Sequence, residues 1–192
     1  MTAARIDNIQ PFHVMQLLAQ ARELEAQGRD VIHLEVGEPD FATPRPVVEA
    51  GLRALQQGKT RYTPALGLPE LRQAVSRWYG SRFGVDIPAT RIVITPGSST
   101  GLQMLMSALV DPAERVLLPD PGYPCNRNFV YLSDGVPVPV TVTAEQQWLP
   151  TPRQVASSWD DSTGGMVVAS PANPTGALFT PPQLQALVQQ VG

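Results

Sequence analysis

The chain has 192 residues, 43% apolar and only 16% charged, with a formal net charge of −3. That length fits one domain, or one domain with an appendage. The mild negative charge and the lack of any basic cluster make nucleic acid and anionic membranes poor partners. The low charged fraction implies a large buried surface, shared with another subunit or with further chain. A single cysteine, Cys125, excludes an intrachain disulfide and suits a reducing, cytoplasmic setting. Phe12 to Leu18 is interrupted by His13 and Gln16 and does not read as a secretory signal, and no stretch approaches membrane-spanning length.

Val14, Leu17, Leu18, Ala21 and Leu24 recur at helical spacing, predicting an amphipathic helix that stops at Gly28. Val31 to Val36 alternates as a strand and runs into the turn Gly37-Glu38-Pro39-Asp40. A second helix is expected from Pro46 to Gln57, closed by Gly58. An irregular stretch from Lys59 to Pro69 carries Tyr62, and Glu70 to Phe83 is helical again. From Arg91 onward strands and helices alternate. The expectation is strand 91–95, helix 99–110, strand 115–118, a loop through Tyr123, a short helix from Asn126 to Leu132, and a strand-like Val136 to Val142. Pro137 and Pro139 argue for an edge strand or an irregular segment there. A weak helix near 152–158 precedes a strand from Met166 to Ala169 and a loop through Asn173. Thr180-Pro181-Pro182-Gln183 then reads as a capping box opening a final helix that stops at Gly192. This alternation implies an α/β fold, a mostly parallel sheet flanked by helices on both faces.

The stretch Ile92 to Leu102 is the most informative. An apolar run ends at Pro96-Gly97, Ser98, Ser99 and Thr100 follow, and a helix begins. The unsatisfied N–H groups and positive dipole end of a helix start form a natural anion site. No acidic side chain occupies this first turn, which suits a phosphate; a serine capping its own helix is the plainer alternative. In open α/β sheets ligands bind at the carboxyl ends of strands. The serine turn, the Tyr123 loop and the Asn173 loop each follow a strand, so three polar loops are expected to converge on one rim. His13 and His33 have no metal-ligand spacing and no metal site is expected; Cys125 has no base beside it and reads as packing.

Five segments together resemble the class I/II aminotransferases, fold-type I pyridoxal-phosphate enzymes. They are Leu34 to Phe41 (LEVGEPDF), Tyr62 to Arg72 (YTPALGLPELR), Ile94 to Leu102 (ITPGSSTGL), Asp120 to Pro124 (DPGYP), and Ser170 to Gly176 (SPANPTG). The resemblance implies an N-terminal arm and small-domain segment over residues 1–43 and a partial, truncated large cofactor-binding domain over 44–192. It implies that Ser98 and Ser99 hold the phosphate of pyridoxal 5'-phosphate, that Tyr123 stacks on the pyridine ring, and that Asn173 donates to the cofactor phenolate and lies near the substrate carboxylate. Gly37 would bring backbone close to that carboxylate, and Tyr62 would reach the phosphate of the neighbouring subunit's cofactor in a homodimer.

The only lysine is Lys59, in Gly58-Lys59-Thr60-Arg61. In the family the lysine that forms the Schiff base follows the Asn-Pro-Thr-Gly loop, as do the aspartate facing the pyridine nitrogen and the arginine gripping the substrate. The resemblance therefore implies the N-terminal half of an aminotransferase acting on an amino acid and a 2-oxo acid, inactive by itself. An ending within the apolar pattern Leu184, Leu187, Val188, Val191 is expected of a fragment. A non-catalytic binding or regulatory module, or another fold-type I enzyme such as a carbon–sulfur lyase, remains an alternative.

Overall fold

The computed structural model describes residues 2–191, so the expected stop of the last helix at Gly192 lies outside the described residues. By contacts the chain divides into two compact units: residues 1–13 with 97–192, and residues 14–96.

The first unit holds a three-stranded parallel sheet in the order β2-β1-β3, formed by β1 (Arg115–Asp120), β2 (Val136–Thr141) and β3 (Thr163–Met166). Around it lie α4 (Ser98–Leu109), α5 (Cys125–Leu132), α6 (Pro152–Ser158) and α7 (Pro181–Val191). Side chains along a strand alternate between faces, and β1 uses both. Leu117 packs with Val140, Val155 of α6 and Leu187 of α7, whereas Val116 and Leu118 pack with Val130 of α5 and with Met106 of α4. Two small cores, one on each face of one strand, give the helix-covered parallel sheet that the alternating pattern predicts.

β2 is an edge strand, as its prolines require. The Val136 and Val142 N–H groups donate to Glu114 and Asp120 carbonyls at 2.8 and 2.9 Å. Even-numbered residues of β2 thus point their N–H groups at β1, and Pro137 and Pro139 fall where an N–H would face outward, costing no ladder bond and blunting the edge. β3 begins and ends three residues earlier than the apolar run Met166 to Ala169 suggests. Its strand-weak Gly165 is recruited by pairing with Val116 of β1, Gly164 falls where the register shifts, and Val167 adds one more bond, N–H to the Leu117 carbonyl at 3.0 Å. Thr151 and Gln154 form a reciprocal capping box at α6, and the Gln183 carboxamide accepts from the Thr180 N–H and hydroxyl, both at 2.8 Å, at the start of α7.

The second unit contains α1 (His13–Ala26), α2 (Arg45–Gln56) and α3 (Pro69–Phe83), close to the predicted helices. None of the three has a buried residue. Polar staples hold the unit instead. The Arg72 guanidinium donates to the Ala89 carbonyl at 2.6 Å and to the Ile92 carbonyl at 2.8 Å, and the Ser76 hydroxyl donates to the Ile87 carbonyl at 2.6 Å. Two expected strands are absent here. Residues 31–36 and 92–95 are not in any ladder, although the Ile94 N–H donates to the Leu66 carbonyl at 3.1 Å. A strand exists only through its partner, and alternation cannot supply one; Ile32 and Leu34 stand 82% and 88% exposed.

Candidate functional site

Gly97 caps α4 at φ 83°, ψ 165°, a region open essentially to glycine, and this reversal delivers Ser98 and Ser99 at the first turn of the helix. The first turn has no acidic residue, so the positive helix end carries exposed Ser98 and Ser99 without a built-in anion. Two elements away, β1 ends at Asp120 and the chain folds back sharply. A Cβ on Gly122 would lie 2.3 Å from the Pro119 carbonyl oxygen, so only glycine permits this loop. The Asn126 N–H donates to the Tyr123 carbonyl at 3.1 Å and fixes Tyr123 immediately before α5.

Tyr123 is half-buried and joins the two loops. Its phenol is hydrogen-bonded to the Cys125 thiol and to the Ser99 side chain. The Cys125 bond holds the phenol above its ordinary range, assisted by burial, while Ser99 pulls the other way. Phe12 meets the Tyr123 ring edge-on, with centroids 6.1 Å apart at 77°.

Asn173 stands exposed on a loop closed by its own backbone: the Gly176 N–H donates to the Ala172 carbonyl at 2.7 Å, and the Ala172 N–H donates to the Ala177 carbonyl at 2.8 Å. Tyr123 and Asn173 line one shallow recess of 40 Å³. Ligand pockets for drug-sized molecules enclose roughly 300–1,000 Å³. The recess therefore presents groups on an open rim and does not enclose a ligand of cofactor size. The structure thus joins Ser99 to Tyr123 by a hydrogen bond and Tyr123 to Asn173 by a shared recess.

Gly37 and Tyr62 belong to the second unit. Gly37 is exposed, with no described atom within 4 Å of where a Cβ would sit. Tyr62 is fully exposed in a coil with Thr60, Arg61 and Thr63. Lys59, immediately before that coil, is also exposed. Among the described residues no group of three or more His, Cys, Asp or Glu side chains could hold a metal, and no helix is long and apolar enough to cross a membrane.

Sequence reasoning missed four contributors. Asn126, Trp148 and Phe179 also line the recess, and Cys125, read as packing, bonds to Tyr123. Asn126 follows the Tyr123 loop by one helical step and could have been flagged on spacing. Trp148, at φ 59°, follows a weak 3-10 turn and carried no local signal.

The groups present suit pyridoxal phosphate. A helix start with no acidic residue and a serine hydroxyl match a phosphate dianion, a half-buried aromatic adjoins it, and a carboxamide shares the aromatic's recess.

Comparison with known proteins agrees. The family model for aminotransferase class I and II matches residues 29–191. The chain is 40% identical over 179 residues to a (5-formylfuran-3-yl)methyl phosphate transaminase of Methanocaldococcus jannaschii, covering 93% of this chain and 46% of that protein. It is 36% identical to an aspartate/prephenate aminotransferase of Thermus thermophilus, covering 96% of this chain and 48% of the relative. The solved structure of Thermus thermophilus aspartate aminotransferase with maleate superimposes at a TM-score of 0.94 with 35% identity, over 100% of this chain and 50% of that one. The chain spans about half the length of the curated relatives it matches. With the family model covering most of its length and the shared fold, this chain belongs to the class I and II aminotransferases.

Proposed function

We propose that this chain forms the cofactor-phosphate half of a pyridoxal-phosphate-dependent aminotransferase that moves an amino group between an amino acid and a 2-oxo acid. The observation that carries the reading is the hydrogen bond from Ser99, at the start of α4, to the Tyr123 phenol. It puts the aromatic beside the one helix start whose first turn is two serines with no acid.

When bound, pyridoxal phosphate acts as an electron sink for the substrate α-carbon. The residues of this chain would bind and orient. Ser98 and Ser99 would hold the phosphate through backbone N–H and hydroxyl groups, and Tyr123 would fix the ring plane with its face. Asn173 would donate its amide N–H to the ring oxygen and help seat the substrate carboxylate. Gly37 would offer backbone to the same carboxylate, and Tyr62 would serve the partner's phosphate in a homodimer. The proton-transferring lysine is not among these residues, since Lys59 is the only lysine and lies in the coil before Tyr62. Catalysis is therefore assigned to a longer protein, in which residues 1–43 would act as arm and small-domain segment and 44–192 as part of the large domain. A cytoplasmic location belongs to the same reading, supported by the single cysteine.

The test is titration of the chain with pyridoxine phosphate, whose lack of an aldehyde prevents adducts at Lys59. Ser99→Ala and Tyr123→Ala are each expected to weaken binding roughly tenfold or more, the value of a charge-assisted hydrogen bond or a lost aromatic face. Equal binding by both variants and the parent would overturn the assignment.

A further inference from the structure

The segment up to His13 groups by contacts with residues 97–192. It opens as a 3-10 helix, Ala4–Asn8, that packs on α5, and continues extended at Ile9. Three anchors hold it there. The Arg5 guanidinium pairs with the Asp134 carboxylate, just beyond the carboxyl end of α5. The Gln10 backbone pairs with one carboxamide of α5, its N–H donating to Asn128 Oδ1 at 3.4 Å and its carbonyl accepting from Asn128 Nδ2 at 3.1 Å. Phe12 then meets Tyr123, just ahead of α5. Positions 5, 10 and 12 thus engage positions 134, 128 and 123, so the segment runs antiparallel to α5 as a strap. Among residues 2–12 only Arg5, Ile9 and Phe12 are half-buried, the inward face of that strap.

The strap supplies a constraint that the Tyr123 hydroxyl cannot. In tyrosine the hydroxyl oxygen lies on the Cβ–Cγ axis about which the ring turns, and that torsion has broad minima. Hydrogen bonds at the oxygen, here with Ser99 and Cys125, fix where the axis points and leave rotation about it nearly free. Two separate clefts border Tyr123, so close packing does not clamp the ring on those sides. Stacking depends on the plane of the ring as well as on its axis. The Phe12 ring stands at 77° to that of Tyr123 with centroids 6.1 Å apart. Favourable edge-to-face pairs span about 4.5–7 Å, so turning the Tyr123 ring would lose this contact.

We propose that Phe12 is a positioning residue of the cofactor site: the strap holds it on α5 where it sets the rotation of the Tyr123 ring, and so the plane offered to a pyridine. This rests on the cofactor reading above and adds to it a residue that acts through Tyr123.

The experiment uses the full chain with labelled tyrosine rings, first without ligand and then titrated with pyridoxine phosphate and with inorganic phosphate. Phe12→Leu removes the perpendicular ring and keeps an apolar side chain, Phe12→Tyr keeps the ring, and Arg5→Gln loosens the far end of the strap. Relaxation-derived order of the Tyr123 ring should fall in Phe12→Leu, fall less in Arg5→Gln, and stay at the parent value in Phe12→Tyr. Phe12→Leu should weaken pyridoxine phosphate roughly two- to tenfold, the worth of one aromatic pair, and Phe12→Tyr should restore it. Inorganic phosphate should bind the parent and Phe12→Leu equally, because the serine turn is untouched. Unchanged ring order or unchanged pyridoxine phosphate binding in Phe12→Leu would overturn the role of Phe12 and leave the cofactor reading standing. Equal weakening of both ligands would also overturn it, since a general loss of structure would then be the cause. A parent chain that fails to bind pyridoxine phosphate would overturn both readings together.

Discussion

The Ser99 side chain is hydrogen-bonded to the Tyr123 phenol, tying the first turn of α4 to the loop that leaves β1. The same phenol is hydrogen-bonded to the Cys125 side chain, and that bond is the stronger influence on its ionisation. Cys125→Ala should therefore lower the Tyr123 pKa toward the ordinary phenol value of 10.0, and Ser99→Ala should raise it further. A folded-state pKa above the unfolded one means stability that is full below the ordinary phenol range and lost as pH rises through the folded value. The variants can be read by ring-labelled NMR across alkaline pH. A Tyr123 pKa unmoved by either substitution would contradict the bonding described.

His33 lies between two carboxylates, with Nδ1 2.6 Å from Glu35 and Nε2 3.0 Å from Glu25. Hydrogen bonds to Glu35, then to Glu25, raise its pKa above 6.5, and the His33 bond lowers that of Glu35. The raised imidazole contributes stability below its unfolded pKa, lost as pH rises through the folded one. Glu35→Gln should return His33 toward 6.5, with the smaller Glu25 contribution remaining, as a pH series of imidazole shifts would record. An unchanged pKa would show that Glu35 is not the main partner.

Leu117 is fully buried between β1 and the α6–α7 layer, whereas Leu52 of α2 is 53% exposed. Leu117→Ala should cost about 2–5 kcal/mol in denaturant unfolding followed by a probe in the first unit. Leu52→Ala should stay within about 0.5 kcal/mol. Similar losses for both would mean that α2 is covered in solution.

Gly97→Ala places a side chain where φ is 83° and ψ 165°, in open space. The cost is conformational rather than steric contact, roughly 1–3 kcal/mol. It should also weaken pyridoxine phosphate binding, because relaxing the turn rotates the Ser98 and Ser99 amides. Unchanged stability and binding would show that the cap geometry is dispensable.

Helices were legible in the sequence because their signals are local. Pro at the first turn of α2, α3 and α6, Gly84 in the left-handed conformation after α3, and the Thr151–Gln154 box each act within a few residues. The edge position of β2 was legible too, from prolines that forbid an outward N–H. The serine turn and the Tyr123 and Asn173 loops were legible as motifs, since glycine and proline at fixed offsets mark such turns.

Pairing was not legible. Residues 31–36 alternate as a strand should, yet stay outside any ladder, whereas the glycine-rich Thr163–Met166 is a strand because β1 lies beside it. Tertiary structure also decided the hydrogen bonds of Tyr123 with Ser99 and Cys125. The sequence by itself determined the helices, the turn chemistry and the family; which strands pair and which side chains meet depended on contacts between distant segments, whose energy no local pattern encodes.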